Sequence, residues 1–140
     1  MQKIYTIKGQ ALQEVNKARY IGVIISNDLQ WSTHVSTITK KANRTLGFLR
    51  RNLKNAPPKL KEIAYFSLVR SVVEYSATVW DPHLCKDRDA LEMVQRRAAR
   101  HVKNDHRQTS SVTQMLKDLG WELLADRRRD LRLVLYYKIV

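Results

Sequence analysis

Four histidines and one cysteine are the side chains of this sequence that could hold a transition metal. Zinc sites usually present Cys-x-x-Cys or His-x3–5-His pairs. Of His83, Cys85, His101 and His106, only the last two histidines have such a spacing, with four residues between them. We therefore expect surface histidines and a lone thiol, and no metal site.

Asp87 and Asp89 are spaced like the two-carboxylate metal clamp that polymerases use for in-line displacement. Both fall at the predicted start of a helix, where carboxylates complement the helix dipole without any metal. The sequence has neither a Gly-x-Ser-x-Gly nucleophile turn nor a glycine-rich phosphate loop. We expect no catalytic residue and no bound cofactor in this chain.

Charge is the positive signal of the sequence, because 26 Lys plus Arg stand against 13 Asp plus Glu and give a net charge of +13. Such an excess attracts polyanions and is typical of nucleic-acid-binding proteins. Solvated helix faces are the alternative interpretation of charge runs, but they do not account for a two-to-one excess of bases. The composition therefore favours contact with nucleic-acid phosphates.

The candidate phosphate contacts form three groups at helical spacing. They are Lys40, Arg44 and Arg51, then Arg96, Arg100 and Lys103, then Arg127 and Arg128 in a run of three arginines. In the first two groups, the apolar residues of the same segment fall on the opposite side of a helix. Trp31, Phe48 and Tyr136 could stack on bases, but we assign them to core packing.

Helical periodicity accounts for the chain from residue 32 onward. We expect helices at about residues 32–53, 58–80, 87–103, 110–119 and 122–139, separated by proline or glycine breaks. The first has a single apolar stripe and packs on the core by that side. The second is apolar nearly all round, which is typical of a helix in the middle of a bundle.

Strand signals precede the helices. Lys8-Gly9 between short apolar pairs predicts a hairpin, and residues 20–25 indicate one buried strand. The predicted fold class is mainly α, a bundle of four to five helices preceded by a small N-terminal β-hairpin or strand remnant. We divide the chain into a strand region, residues 1–30, and a helical domain, residues 31–140.

Several features indicate a soluble intracellular protein of the nucleus or cytoplasm. There is one cysteine and no signal-peptide pattern at the start, and the most apolar stretch contains Arg70 and Glu74, so we expect no membrane span. The last helix is still strongly apolar where the sequence ends. Either it lies deep in the bundle or its natural neighbour is absent, in which case this helix is a candidate for self-association.

Residues 110–129 also look like a helix–turn–helix, with Gly120 at the bend and three arginines after it. A sequence-specific DNA-binding protein is therefore an alternative function.

The chain contains, in order, YIGV at residues 20–23, NDLQWSTHV at 27–35, KANRTLGFLRRNL at 41–53, AY at 64–65, LVR at 68–70, EY at 74–75, VWDP at 79–82, LEMVQRRAAR at 91–100 and LGW at 119–121. Together these motifs resemble the late palm and thumb of the reverse transcriptases of non-LTR retrotransposons, the LINE-type, jockey-like elements. The resemblance extends over about residues 3–139, essentially the whole chain.

The resemblance implies that Tyr20 and Gly22 lie beside the primer terminus, as in a primer grip. It also implies that the helices after them form a thumb, whose Lys40, Arg44 and Arg51 hold the backbone of an RNA–DNA or DNA duplex. The family's paired catalytic aspartates, which use Mg, lie upstream in the palm and have no counterpart here. Ser71 stands where the family commonly has proline. We therefore expect the chain to be a non-catalytic fragment of an RNA-directed DNA polymerase, or an inert translated relic.

Overall fold

The computed structural model describes residues 4–140, in which two small antiparallel hairpins precede five helices. The helices are α1 (Ser32–Asn52), α2 (Pro58–Tyr65) continued by a π-helical turn (Phe66–Arg70) into α3 (Ser71–Glu74), α4 (Cys85–Lys103), α5 (Val112–Asp118) and α6 (Leu124–Ile139), with α2 to α3 counted as one. The predicted class, a helical bundle after a β-hairpin, is confirmed.

The first hairpin forms where the sequence predicts it. Strand β1 (Thr6–Ile7) pairs with β2 (Gln10–Ala11) across a two-residue turn. Lys8 and Gly9 have φ values of 52° and 80° there. Two positive φ angles are the geometry that matches the twist of a tight hairpin, and glycine adopts it without steric cost.

Residues 20–25 do not form one strand, so that prediction is wrong. Strand β3 (Lys17–Tyr20) ends and β4 (Val23–Ser26) begins around a turn at Ile21 and Gly22, with φ values of 46° and 80°. A Cβ at position 22 would lie 3.1 Å from Cε1 of Tyr75, whose hydroxyl donates to the Ile21 carbonyl at 3.1 Å. The turn therefore needs glycine both for its backbone angle and for the approach of Tyr75.

The centre of the bundle is formed by α1 and α4. Val35, Ala42 and Leu46 of α1 are buried, and so are Leu91 and Ala98 of α4. Both helices have the bounds that periodicity predicts to within two residues. Each has one buried side, so the opposite sides are left for polar residues.

The second helix differs from its prediction in length and in burial. It ends at Glu74 instead of residue 80, because Tyr75 leaves the helical region with a ψ of 124° and Ser76 follows with a positive φ of 52°. It is not central either, since Ile63 and Leu68 are exposed. Ser67, in the π-helical turn, and Ser71, directly after it, donate their hydroxyls to the carbonyls four residues back, a contact that bends helices.

The segment that connects α5 to α6 is hydrogen-bonded to α4, and α4 to α2. Tyr65 donates to Oε1 of Gln95 at 3.1 Å, and Nε2 of Gln95 donates to the Glu122 carbonyl at 2.8 Å.

Beyond the first turns of α6, every residue from 131 to 140 is exposed. Of the two interpretations of this apolar helix, burial deep in the bundle is therefore wrong.

Candidate nucleic-acid interface

The outer face of α1 carries cations and no anions. The helix contains Lys40, Lys41, Arg44, Arg50 and Arg51, and neither Asp nor Glu. At about 100° per residue, Lys40, Arg44 and Arg51 fall within one narrow strip opposite the buried stripe. We call these three residues the α1 ridge, and the structure places all three on the exposed side as predicted.

These charges are not neutralised within the fold. No ion pair among residues 4–140 involves a lysine or arginine of α1. The carboxylates of Glu74 and Asp81 pair with arginines outside α1. The α1 ridge therefore presents an uncompensated positive potential to solvent.

Phe48 lies on the same face and was assigned wrongly to the core. Its side chain is 54% exposed, four residues after Arg44 and three before Arg51, so it borders the α1 ridge. An exposed aromatic ring among cations can stack on a base or sugar. Tyr136 is exposed as well, whereas Trp31 packs against the core as expected.

The second predicted group, on α4, is partly engaged within the protein. Arg96 is half-buried, and Nη1 of Arg100 donates to the Arg107 carbonyl at 2.8 Å. Lys103 is exposed, with its Nζ 3.9 Å from Oδ2 of Asp118. These side chains add positive potential but leave fewer donors open to a ligand than the α1 ridge.

The third group has a structural role, which corrects the assignment of Arg127 and Arg128 to phosphate binding. Arg127 hydrogen-bonds the Glu74 carboxylate through Nε, and Arg128 is only 1% exposed, with Nε 3.3 Å from Oδ1 of Asp81. Arg129, the next residue, lies 3.2 Å from Oδ1 of Asp126. The arginines that would enter a DNA groove in a helix–turn–helix thus contact carboxylates of this chain.

Tyr20 ends β3 and Gly22 lies in the turn that follows, beside an open pocket of about 450 Å³. Gly22, Arg19 and Lys41 line this pocket, whereas the Tyr20 side chain projects into solvent. The two residues are therefore neighbours in the fold, but only Gly22 faces the pocket.

His34 forms the inner wall of this pocket and joins the hairpin to α1. Its Nδ1 accepts a hydrogen bond from the Ile24 amide at 3.2 Å, so the neutral ring carries its proton on Nε2, which has no partner among the described residues. Burial, and then the Arg19 charge, lower the pKa of His34. Neither the spacing of His34 from other histidines nor its neighbours in the sequence singled out this residue.

No known family model, curated protein or solved structure matches this chain. The resemblance to reverse transcriptases therefore remains an expectation from the motifs.

Two further properties of the described residues bear on function. Within residues 4–140, no three His, Cys, Asp or Glu side chains come together as a metal centre would require. None of the helices in this part of the chain is both long and apolar enough to cross a membrane.

Proposed function

We propose that this chain binds the sugar–phosphate backbone of nucleic-acid duplexes without reading their sequence and without catalysing a reaction. The observation that carries the proposal is the α1 ridge, a row of exposed cations on a helix that has no acidic residue and, within residues 4–140, no ion pair. Contacts to phosphate supply affinity but carry no sequence information.

The length of the α1 ridge fits a strand of a duplex. Arg51 lies eleven steps along the helix from Lys40, or about 16 Å at 1.5 Å per residue. The three cations of the ridge can each neutralise one phosphate of a strand. Phe48 adds an aromatic surface that tolerates any base.

The motif resemblance supports the same activity. A reverse-transcriptase thumb holds an RNA–DNA or DNA duplex while the duplex slides, a task that suits backbone charge better than base-reading groups. Under this proposal the chain acts in the nucleus or cytoplasm, and polymerase chemistry with Mg belongs to a longer parent protein. Tyr20 and Gly22 would then lie near the primer end.

Fluorescence anisotropy with labelled RNA–DNA and DNA duplexes tests the proposal. We expect affinity to fall steeply as salt increases from about 50 to 200 mM, because bound cations release counterions. Replacing Lys40, Arg44 and Arg51 by Ala should weaken binding roughly tenfold to a hundredfold for every sequence, and make the negative slope of log K against log salt shallower by about 2.7.

The matched control is the triple variant K86A/K117A/K138A, which removes the same charge from exposed lysines outside α1. Its affinity should fall much less. Equal losses in the two triple variants would reduce the interaction to net charge, and unchanged affinity in the α1 variant would show that the ridge does not hold the duplex. Far-ultraviolet circular dichroism and cooperative thermal unfolding of each variant show that the fold is kept. An inert relic is expected to unfold without cooperativity.

Selection from a random duplex pool tests the absence of sequence reading. We expect uniform recovery. A recovered consensus would contradict the proposal and favour the helix–turn–helix alternative in residues 110–129.

A further inference from the structure

A second pocket, of about 650 Å³, opens where the C-terminal ends of α1 and α4 meet. The residues that line it with polar or charged side chains are Arg50, Arg51, Lys54, His101, Asn104 and His106. No acidic residue lines it, and none of these side chains takes part in a described ion pair. The volume is in the range that proteins use for small-molecule ligands.

Helix dipoles account for only part of this positive charge. Cations are stabilised in the last turn of a helix, which explains Arg50 and Arg51 at the end of α1. Lys54 and His106 lie beyond the ends of their helices, which stop at Asn52 and Lys103. Lys54 adds charge to the pocket at a position where no last helical turn stabilises it.

His101 is the second and independent sign of a ligand. Its side chain is only 4% exposed, it lines the pocket, and its Nε2 has no hydrogen-bond partner in the described residues. Buried polar atoms in proteins are nearly always bonded, so an unpartnered ring nitrogen on a residue that lines a pocket indicates that something else bonds it.

The surroundings of His101 are positive on several sides. Burial, and then the charges of Lys61 from α2, Arg50 from α1 and His106 after α4, lower the pKa of His101 to about 4. No carboxylate among the described residues offsets these charges at the ring. An anion would relieve both the repulsion and the missing hydrogen bond.

We infer that this pocket binds a phosphate group, held by Arg50, Arg51 and Lys54 with His101 and His106 as further donors. Arginine offers a planar pair of donors to phosphate oxygens, and the Asn104 amide can supply another. Only Arg51 also belongs to the α1 ridge, so the site does not depend on duplex binding. The phosphate can be the end of a nucleic-acid strand or part of a small molecule.

Histidine NMR on the full chain tests the inference, with inorganic pyrophosphate as the probe. We expect saturable shifts of the His101 and His106 ring signals and a higher pKa of His101 in the complex, because a bound anion stabilises imidazolium. His34 and His83 lie outside the pocket and serve as internal controls. Shifts of all four histidines together, or shifts that never saturate, would overturn the site.

Two double variants of equal charge complete the test. R50A/K54A should weaken pyrophosphate binding by about tenfold or more, as loss of charge-assisted hydrogen bonds does, whereas K86A/K117A should leave it unchanged. Equal weakening by both would reduce the effect to net charge and contradict the inference. K40A/R44A distinguishes the pocket from the α1 ridge, since it should weaken duplex binding while the pyrophosphate titration persists.

The source of the phosphate is identified with strands that differ only at one end. If a 5′-phosphorylated strand binds more tightly than its unphosphorylated form, and R50A/K54A abolishes the difference, the pocket takes a strand end. If the two strands bind alike while pyrophosphate still saturates the wild-type pocket, the ligand is a small phosphate compound.

Discussion

Arg128 carries a charge into the core at the start of α6, where Asp81 accepts from its Nε and neither Nη1 nor Nη2 has a hydrogen-bond partner in the described residues. The side chain fills space between α6 and the segment after α3. Its contribution is therefore to packing and to one ion pair, and both are lost when the side chain is shortened.

We predict that Arg128→Ala lowers the free energy of unfolding by about 2–4 kcal/mol, since it opens a cavity and leaves Asp81 with a single arginine. Arg128→Met should cost less, because it restores volume without a buried charge. Urea denaturation followed by circular dichroism measures both. Arg129→Ala, at an exposed side chain, should stay within about 0.5 kcal/mol of the wild type; a loss in R129A as large as in R128A would refute the structural role.

At the scale of elements, α1 exposes a row of cations and α6 exposes apolar side chains. The cations of α1 lie opposite a buried stripe, so the helix is anchored and its charges are presented in a row. The end of α6 is exposed on all sides although Leu131, Leu133, Val134 and Leu135 are apolar. Contiguous exposed apolar surface of this kind marks an interaction site.

We predict that the end of α6 associates with a second copy of the chain once salt screens the net charge. Sedimentation velocity at about 0.3 M salt should give a mass above the 16.4 kDa of one chain. Val134→Lys with Leu135→Lys should return the mass to that of a monomer, whereas I63K/L68K, an equal change at exposed apolar positions of the second helix, should not. A monomeric wild type at high protein concentration would contradict this prediction.

Over the whole molecule, two buried neutral histidines connect stability to pH. The pKa of His101 is lowered to about 4 and that of His34 is lowered as well, below the ordinary histidine value of about 6.5. The unfolded chain therefore binds more protons than the folded one below pH 6.5. Stability falls as the pH decreases below about 6.5, by at most about 1.4 kcal/mol per pH unit for each histidine. For His101 this fall continues to its folded pKa of about 4.

We predict that His101→Gln flattens this part of the stability–pH curve, because glutamine takes up no proton. Urea midpoints measured between pH 7 and pH 4 give the curve, and the exposed His83→Gln is the control that should keep the wild-type slope. Parallel curves for H101Q and the wild type would show that His101 does not titrate below its ordinary range.

Much of the fold is determined by local patterns in the sequence. The bounds of α1 and α4, the Lys8-Gly9 turn and the exposed side of Lys40, Arg44 and Arg51 come from periodicity and turn chemistry, which depend on neighbouring residues alone. Those patterns also show that α1 contains no acidic residue. They therefore identify the positive face before any packing is known.

Only the tertiary structure decides which charges remain available. Arg127 and Arg128 meet carboxylates that lie 53 and 47 residues away in the chain, and the phosphate pocket joins the end of α1 to a histidine of α4. The turn at Ile21 and Gly22 likewise depends on the approach of Tyr75. Periodicity tells which side of a helix faces away from the core, but a charge is neutralised or left open by partners that become neighbours only when the helices pack.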